Sequence, residues 1–250
     1  SAQVPDGSAT GGNARGANAA DWQTARSGAA QVASGPRSSV GGGSNNTASG
    51  TSSTVGGGDT NTAAGLGAAV AGGRGNQAGG TDSWVPGGSF ANVRGQSGKG
   101  AWASGQFAAA GDAQAGEQVL RRQTTDGTPT RLTADGGAPN ASNTANLPNN
   151  SAYACRIMVV AKEVGGGNAK AMWDFVALAR RDATAAATNV TASPAAGTAQ
   201  AAALVAGSTT GWSVTLNADT ANGGIAVAVV GAAGATINWV ARILSVEAVG

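Results

Sequence analysis

The chain is predicted to be all-β, a solenoid of short coils followed by an antiparallel sandwich or jelly roll, and three observations predict it. Residues 33 to about 92 repeat with a period of fifteen. Glycine accounts for 42 of the 250 residues, and only 11% are charged. Beyond residue 150, apolar and polar side chains alternate in long stretches without a helical period. A short fixed period implies a structure built one coil at a time, each coil burying its face on the next.

Aligned copies place Gly35, Gly50, Gly65, Gly80 and Gly95 in one column and Val40, Val55, Val70 and Val85 in another. Further columns hold Ala33, Ala48, Ala63 and Ala78, then Gly43, Gly58, Gly73 and Gly88, then Asn46, Asn61 and Asn76, then Ser38, Ser53 and Ser83. A helix with a return does not fit so short a unit, and successive glycines oppose one. At a rise of about 3.3 Å per residue, two short strands with a turn at each end do fit. Glycine and asparagine supply the turns because both tolerate positive φ. A disordered Gly/Ser/Ala linker would not keep valine and glycine in phase through four copies. The asparagine column reads as an amide ladder that closes the turns, and Asp59 lies over Arg74 as a surface charge pair.

Valine is the only large side chain in the regular copies. At about 25 cal/mol per Å² its burial yields a few kcal/mol per coil, against about 1 to 2 kcal/mol of backbone entropy per residue. The expected remedy is an obligate oligomer in which several identical chains pack Val40, Val55, Val70 and Val85 about a common axis.

The alternation of Asn-Thr-Ala-Ser-Gly at residues 46 to 50 with Ser-Thr-Val-Gly-Gly-Gly at 53 to 58 resembles the head repeats of trimeric autotransporter adhesins. Similar repeats occur in bacteriophage tail spikes and tail fibres. The resemblance covers about a quarter of the chain and implies a left-handed parallel β-roll assembled as a homotrimer.

Taken in order, residues 1 to 30 are an expected N-terminal anchor to a larger assembly, with two helical turns over 18 to 26 capped by Asn18 and with Trp22 either docking on that assembly or sealing the first coil. The roll occupies 31 to 116. It becomes irregular from Trp84, where Pro86 removes an inter-coil hydrogen bond and Phe90, Trp102 and Phe107 follow. Trp84 neighbours Val85, so an inward valine turns the indole outward. Residues 117 to 150 read as a hairpin through Asp126-Gly127 and then a linker rich in Asn, Pro and Gly. In the sandwich, 151 to 250, one strand face carries Tyr153, Cys155, Ile157 and Val159, and the next Trp173, Phe175, Ala177 and Ala179. Later faces carry Trp212, Val214 and Leu216, then Ile225, Val227 and Val229, then Ile237, Trp239, Ala241 and Ile243. The three tryptophans there are expected in the core or at a trimer interface. The run Val119-Leu120-Arg121-Arg122-Gln123-Thr124-Thr125-Asp126-Gly127, with Leu147-Pro148-Asn149 and Trp239-Val240-Ala241, resembles the C-terminal region of phage tail spikes and fibres. An adhesin would continue into a coiled-coil stalk and a membrane barrel; no heptads follow here, which favours the phage family.

Composition excludes several chemistries. With no His and a single cysteine, Cys155, no metal site, cofactor or disulfide framework is expected. A net charge of +2 with scattered basic residues argues against nucleic acid. The apolar runs are far short of the roughly twenty residues of a membrane span. No catalytic residue is expected, because Asp59 and Asp82 fall in different columns and Asp112 and Glu117 read as turn and strand-start residues. Trp84, Phe90, Trp102 and Phe107 are the receptor-binding candidates, weighed against a hydrophobic plug between roll and sandwich.

The expected function is a homotrimeric tail spike or fibre of the virion, exposed at its extracellular surface. It would be joined to tail or baseplate proteins through its N-terminus and attach to host surface polysaccharide or lipopolysaccharide. The alternatives are a fragment of a bacterial trimeric adhesin, a polysaccharide depolymerase, and a structural virion decoration.

Overall fold

The structure, a computed structural model, describes residues 15–193, 195 and 197–250. The first fourteen residues of the expected anchor therefore lie outside the described residues. Strand makes up 47% of the described residues, which contain no α-helix. Two compact units divide the chain, Ser1–Gly116 and Glu117–Gly250.

The first unit is a β-solenoid of about six turns. The strands Ser39–Val40, Thr54–Val55, Ala69–Val70 and Trp84–Val85 stack in parallel, one coil apart, with Val40 opposite Val55 and Val70 opposite Val85. On another side, Thr47–Ala48, Thr62–Ala63 and Gln77–Ala78 form a second parallel ladder. Between the ladders runs the asparagine column, fully buried. The Asn46 side-chain oxygen accepts the Asn61 N–H at 2.9 Å, Asn61 accepts that of Asn76 at 3.0 Å, and Asn76 accepts that of Ala91 at 2.9 Å. Each amide nitrogen donates to one carbonyl of its own coil and one of the next, as Asn61 Nδ2 does to Gly57 and Gly73, both at 2.9 Å.

Val40, Val55, Val70 and Val85 are at most 1% exposed inside this single chain, packed with Ala33, Ala48, Ala63 and Ala78. This corrects the expectation that they form the core between chains. The coil is narrow enough for alanine, valine and buried amides to fill it, so valine burial gives no reason for other copies. The glycine column explains the close coil spacing: a β-carbon on Gly35, Gly50 or Gly65 would stand about 2 Å from the carbonyl oxygen one coil on. Gly80 faces Gln96 instead of Gly95. One inserted residue thus shifts the register, and Trp84 pairs with Gly100.

The helix expected over 18 to 26 does not form. Ala20–Asp21 is a strand paired in parallel with Ser39–Val40, and Asn18 has φ 58°, outside the helical region. This first coil is longer than the repeat, so the period hides it. Its Gln23 stands where the asparagine ladder begins, accepting the Asn46 N–H at 2.8 Å and donating to the Gln31 and Asn46 carbonyls. Buried Asp21 fixes Gln23 in turn and also accepts the Ala33 N–H.

In the second unit, Ser151–Val164 pairs antiparallel with Lys170–Arg181 on one side and with Thr236–Val249 on the other. Ala113–Thr124 follows Thr236–Val249 in the strand order, while Thr188–Ser193 and Leu204–Ala206 pair with Lys170–Arg181. A second antiparallel sheet is built on Gly224–Val230, which pairs with Ser213–Asp219, Thr130–Arg131 and Ala145–Asn146. One buried cluster draws on both sheets and contains all five apolar faces read from the sequence. Trp239 sits between Trp173 and Trp212 with ring centroids 5.4 and 5.7 Å apart. Its indole N–H donates to Thr124 Oγ1, and that of Trp173 to the Gln200 carbonyl, so all three rings are core.

The hairpin expected in 117 to 132 is reduced to a single bridge, Arg121 to Thr133. Thr130–Arg131 leaves to pair with Gly224–Val230, held there by Arg131 on fully buried Asp219 at 3.0 Å. The expected linker is instead tied down. Asn143 donates to Asp135 and to the Ala138 carbonyl, and Ala145–Asn146 joins the second sheet.

Asn61→Ala is expected to cost about 3 to 5 kcal/mol, because it leaves the Gly57 and Gly73 carbonyls and the Asn76 N–H unpaired inside the coil. Urea unfolding followed by far-UV circular dichroism measures it. A loss under about 1 kcal/mol would contradict the ladder's role.

Candidate functional site

The four aromatic candidates lie where the regular coil ends, but the solenoid distributes them. Trp84 continues the outward column of Ser39, Thr54 and Ala69, and it is 40% exposed while Val85 is buried. Its indole lies across the next strand, Lys99–Ser104, where a β-carbon on Gly100 would stand 2.4 Å from the ring. Trp102, two residues further along that strand, is 43% exposed and alternates with buried Ala101 and Ala103. Two indoles therefore project from adjacent strands of one sheet face.

Phe90 stands at a different corner. It occupies a left-handed position, φ 64°, in the column of Asn45, Thr60 and Gly75, and its ring fills the space that a side chain on Gly75 would need. Arg74 lies over that ring at 4.9 Å. This also revises the expected charge pair. Asp59 and Arg74 are bridged in register, yet the Asp59 carboxylate is taken by Ser44 Oγ at 2.7 Å, Thr60 Oγ1 at 2.9 Å and Asn45 Nδ2 at 3.2 Å. Those hydrogen bonds, with the Ser44 hydroxyl foremost, hold its pKa below the ordinary value, and the Arg74 charge contributes least.

Phe107 is 84% exposed on the loop after Ser104. Asp112 shapes that loop by accepting the backbone N–H groups of Phe107, Ala108 and Ala109 at 2.9, 2.6 and 2.7 Å. A reciprocal pair closes its base: Gln114 accepts the Asn92 N–H and donates to the Asn92 carbonyl, each at 2.9 Å. The structure thus brings Trp84 and Trp102 together and leaves Phe90 and Phe107 on separate supports.

The carboxylates nearest in sequence are engaged. Asp112 serves the loop, and Glu117 forms a two-pronged pair with Arg242 at 3.0 and 2.9 Å. Among the described residues no three His, Cys, Asp or Glu side chains gather as a metal site would require. Nor, among those residues, is any helix long and apolar enough to cross a membrane. What the first unit offers is flat, exposed aromatic surface on a rigid support, suited to the apolar faces of sugar rings.

Sequence reasoning passed over a polar cleft of about 600 Å³ in the second unit, lined by Arg121, Arg122, Gln123, Asp135, Gly136, Asn238, Trp239 and Val240. Its walls meet across 115 residues, as in the Gln123 to Asn238 hydrogen bond, and no local motif signals it. Adjacent Arg121 and Arg122 were the only trace in the sequence.

No protein-family model matches the chain, and no curated protein matches it. Among solved structures it is similar to the tailspike protein of Acinetobacter phage vB_ApiP_P1, at 8% identity and a TM-score of 0.28, over 93% of this chain and 54% of that one. The chain thus spans about half the length of that tailspike. A likeness at this level leaves function to the sites themselves.

Asp112 gives a pH test. Its pKa is held below the ordinary 3.8 chiefly by the Ala109 and Ala108 N–H groups. A depressed carboxyl stabilises the fold in full above its unfolded value and loses that contribution as the pH falls through its folded one. Hydrogen exchange at the Phe107, Ala108 and Ala109 amides, corrected for intrinsic rate, is expected to speed up as the pH drops below 3.8. Asp112→Ala should show the fast exchange already at pH 7; unchanged protection there would refute the loop assignment.

Proposed function

We propose that the chain is the attachment part of a homotrimeric bacteriophage tail spike or fibre, binding a glycan on the host surface. The observation that carries the binding reading is the pair of exposed indoles, Trp84 and Trp102, on adjacent strands of a solenoid whose interior is locked by buried amides. The family reading is supported by the repeats of residues 46 to 58 and by the solenoid they build. Attachment through three identical weak sites gains strength from effective concentration once the first engages. The chain acts here by binding, without cleaving the glycan; release of reducing ends from host polysaccharide would overturn that part.

Trimer formation rests on a different surface from the valine column. The outer face of the larger sheet in the second unit aligns Val246, Ala154 and Leu178 in one cross-strand row, with Val246 68% and Leu178 52% exposed. Val176 and Arg156 follow in the next row, and Val160 and Met172 lie further along. The two arginines at the centre of this face are already paired within the chain, Arg156 to Asp174 at 3.1 and 2.7 Å and Arg242 to Glu117. Burial between copies would therefore leave Arg156 and Arg242 paired, and Lys162 and Lys170, opposite each other at one end of the face, mark its polar edge. Read this way, the two sheets form a sandwich that both closes its own core and joins the copies.

Light scattering on the purified chain is expected to give the mass of three chains. Leu178→Lys should reduce it to one chain without loss of strand content, and a wild-type monomer would refute the trimer. Trp84→Ala combined with Trp102→Ala should lower adsorption to host cells at least about ten-fold, since each stacked ring contributes on the order of 1 kcal/mol per site and three sites act together. Undiminished adsorption would move the receptor site elsewhere.

A further inference from the structure

We infer that the polar cleft of the second unit is a subsite for the anionic group, carboxylate or phosphate, of an acidic saccharide. The inference rests on the glycan-attachment reading and names the chemistry of the glycan.

Three features of the cleft point there. The first is its guanidinium groups. Arg121 donates through Nη2 to the Asp135 carbonyl at 2.9 Å, and Arg122 donates through Nη1 to the Gly136 and Gly137 carbonyls. These neutral acceptors orient both side chains at the cleft, while neither has a carboxylate partner among the described residues. Elsewhere in the unit Arg131, Arg156, Arg180 and Arg242 are paired with acids, and Arg181, away from the cleft, donates to the Leu147 carbonyl and Asn146 Oδ1. A guanidinium held in place by carbonyls still presents donors in a planar fork that matches carboxylate and phosphate oxygens.

The second feature is the charge balance. Asp135 is the one acidic residue in the lining. Its carboxylate already accepts the Gly137 N–H at 2.8 Å, Asn143 Nδ2 at 2.9 and 3.1 Å, and Thr133 Oγ1 at 3.1 Å. Two positive groups stand against one negative group in the lining, and that negative group is occupied within its own loop.

The third feature is size and polarity. A volume of about 600 Å³ falls in the roughly 300–1,000 Å³ range of small-molecule sites. The Gln123 and Asn238 side chains, hydrogen bonded at 2.8 Å, add amide groups suited to sugar hydroxyls. Val240 provides an apolar edge. Two arginines around one concave site suit a single acidic sugar; they do not form the extended basic track that a nucleic-acid strand needs.

The test is calorimetric titration of the whole chain with tetragalacturonate, its neutral counterpart maltotetraose, glucose 6-phosphate and inorganic phosphate. At least one acidic sugar is expected to bind ten-fold or more tightly than maltotetraose, with affinity falling as salt rises. A preference for tetragalacturonate assigns a carboxylated sugar, and a preference for glucose 6-phosphate over inorganic phosphate assigns a phosphorylated one. Arg121→Gln should lose about ten-fold or more in affinity, the scale of one charge-assisted hydrogen bond, at an unchanged melting temperature. Arg121→Lys should recover part of it. Should Arg121→Gln destabilise the chain, Arg122→Gln tests the same cleft from its other wall.

Equal affinity for neutral and acidic sugars, absence of acidic-sugar binding at millimolar concentration, or full affinity in both folded Gln variants would overturn the subsite. Host-cell adsorption by the wild type separates the two readings. Adsorbing chain that ignores every acidic probe removes the cleft and leaves attachment standing. Acidic-sugar binding without adsorption to any host removes attachment and leaves the cleft.

Discussion

A buried side-chain amide ties each coil of the solenoid to the next. Asn46, Asn61 and Asn76 each accept the N–H of the following coil on their oxygen and donate their two N–H groups to one carbonyl of their own coil and one of the next. In a coil this narrow the backbone turns inward, and its polar groups have no water to meet. An unpaired buried group costs on the order of 1–3 kcal/mol, so without the amides every coil would carry that penalty at the same place. The ladder therefore sets what the rest can be. The apolar remainder of the interior shrinks to one valine and a few alanines per coil, and Gln23 must substitute at the N-terminal end, where no asparagine precedes Asn46.

Close stacking follows from the same geometry. Coils in amide contact leave no room for a β-carbon at Gly35, Gly50 or Gly65, and the surface between the glycines becomes a set of fixed columns. Any side chain in an outward column is then displayed at a defined height, with little freedom to adjust. Trp84 takes such a column where the regular coils give only Ser39, Thr54 and Ala69, and the register shift before Gly100 brings Trp102 beside it. Rigid aromatic display is how a thin, sparsely charged solenoid can serve recognition.

The second unit works on the opposite principle. It has an ordinary apolar core, centred on Trp239 between Trp173 and Trp212, and it uses charge sparingly but in geometrically strong pairs. Bidentate pairing of Arg156 and Arg242 neutralises the two arginines at the centre of an otherwise largely apolar outer sheet face. Arg121 and Arg122 are oriented by carbonyls instead, and they stand side by side at one cleft. An arginine fixed in place without an acid keeps its charge for something else, and two such groups at one concave site give the cleft its chemical character.

The columns of valine, glycine and asparagine were legible in the chain because a solenoid maps a spatial neighbour onto a constant sequence offset. The period alone therefore determined that coils stack, that the amides form a ladder and that Trp84 faces outward. The alternating faces from Tyr153 to Ile243 were legible for a similar reason, since a strand repeats every two residues whatever it pairs with. Wherever offset and position part company, the sequence was silent or misleading. The oversized first coil at Ala20–Asp21 resembled a helix start, one inserted residue put Gly95 out of its column, and Thr130–Arg131 pairs across a hundred residues rather than with its neighbour. Whether a coil buries its own valines depends on the width of its cross-section, which no spacing encodes; the folded chain decided it at Val40, Val55, Val70 and Val85. The cleft of Arg121 and Asn238 likewise exists only once distant strands meet, because its chemistry lies in which charges the fold pairs and which it leaves facing solvent.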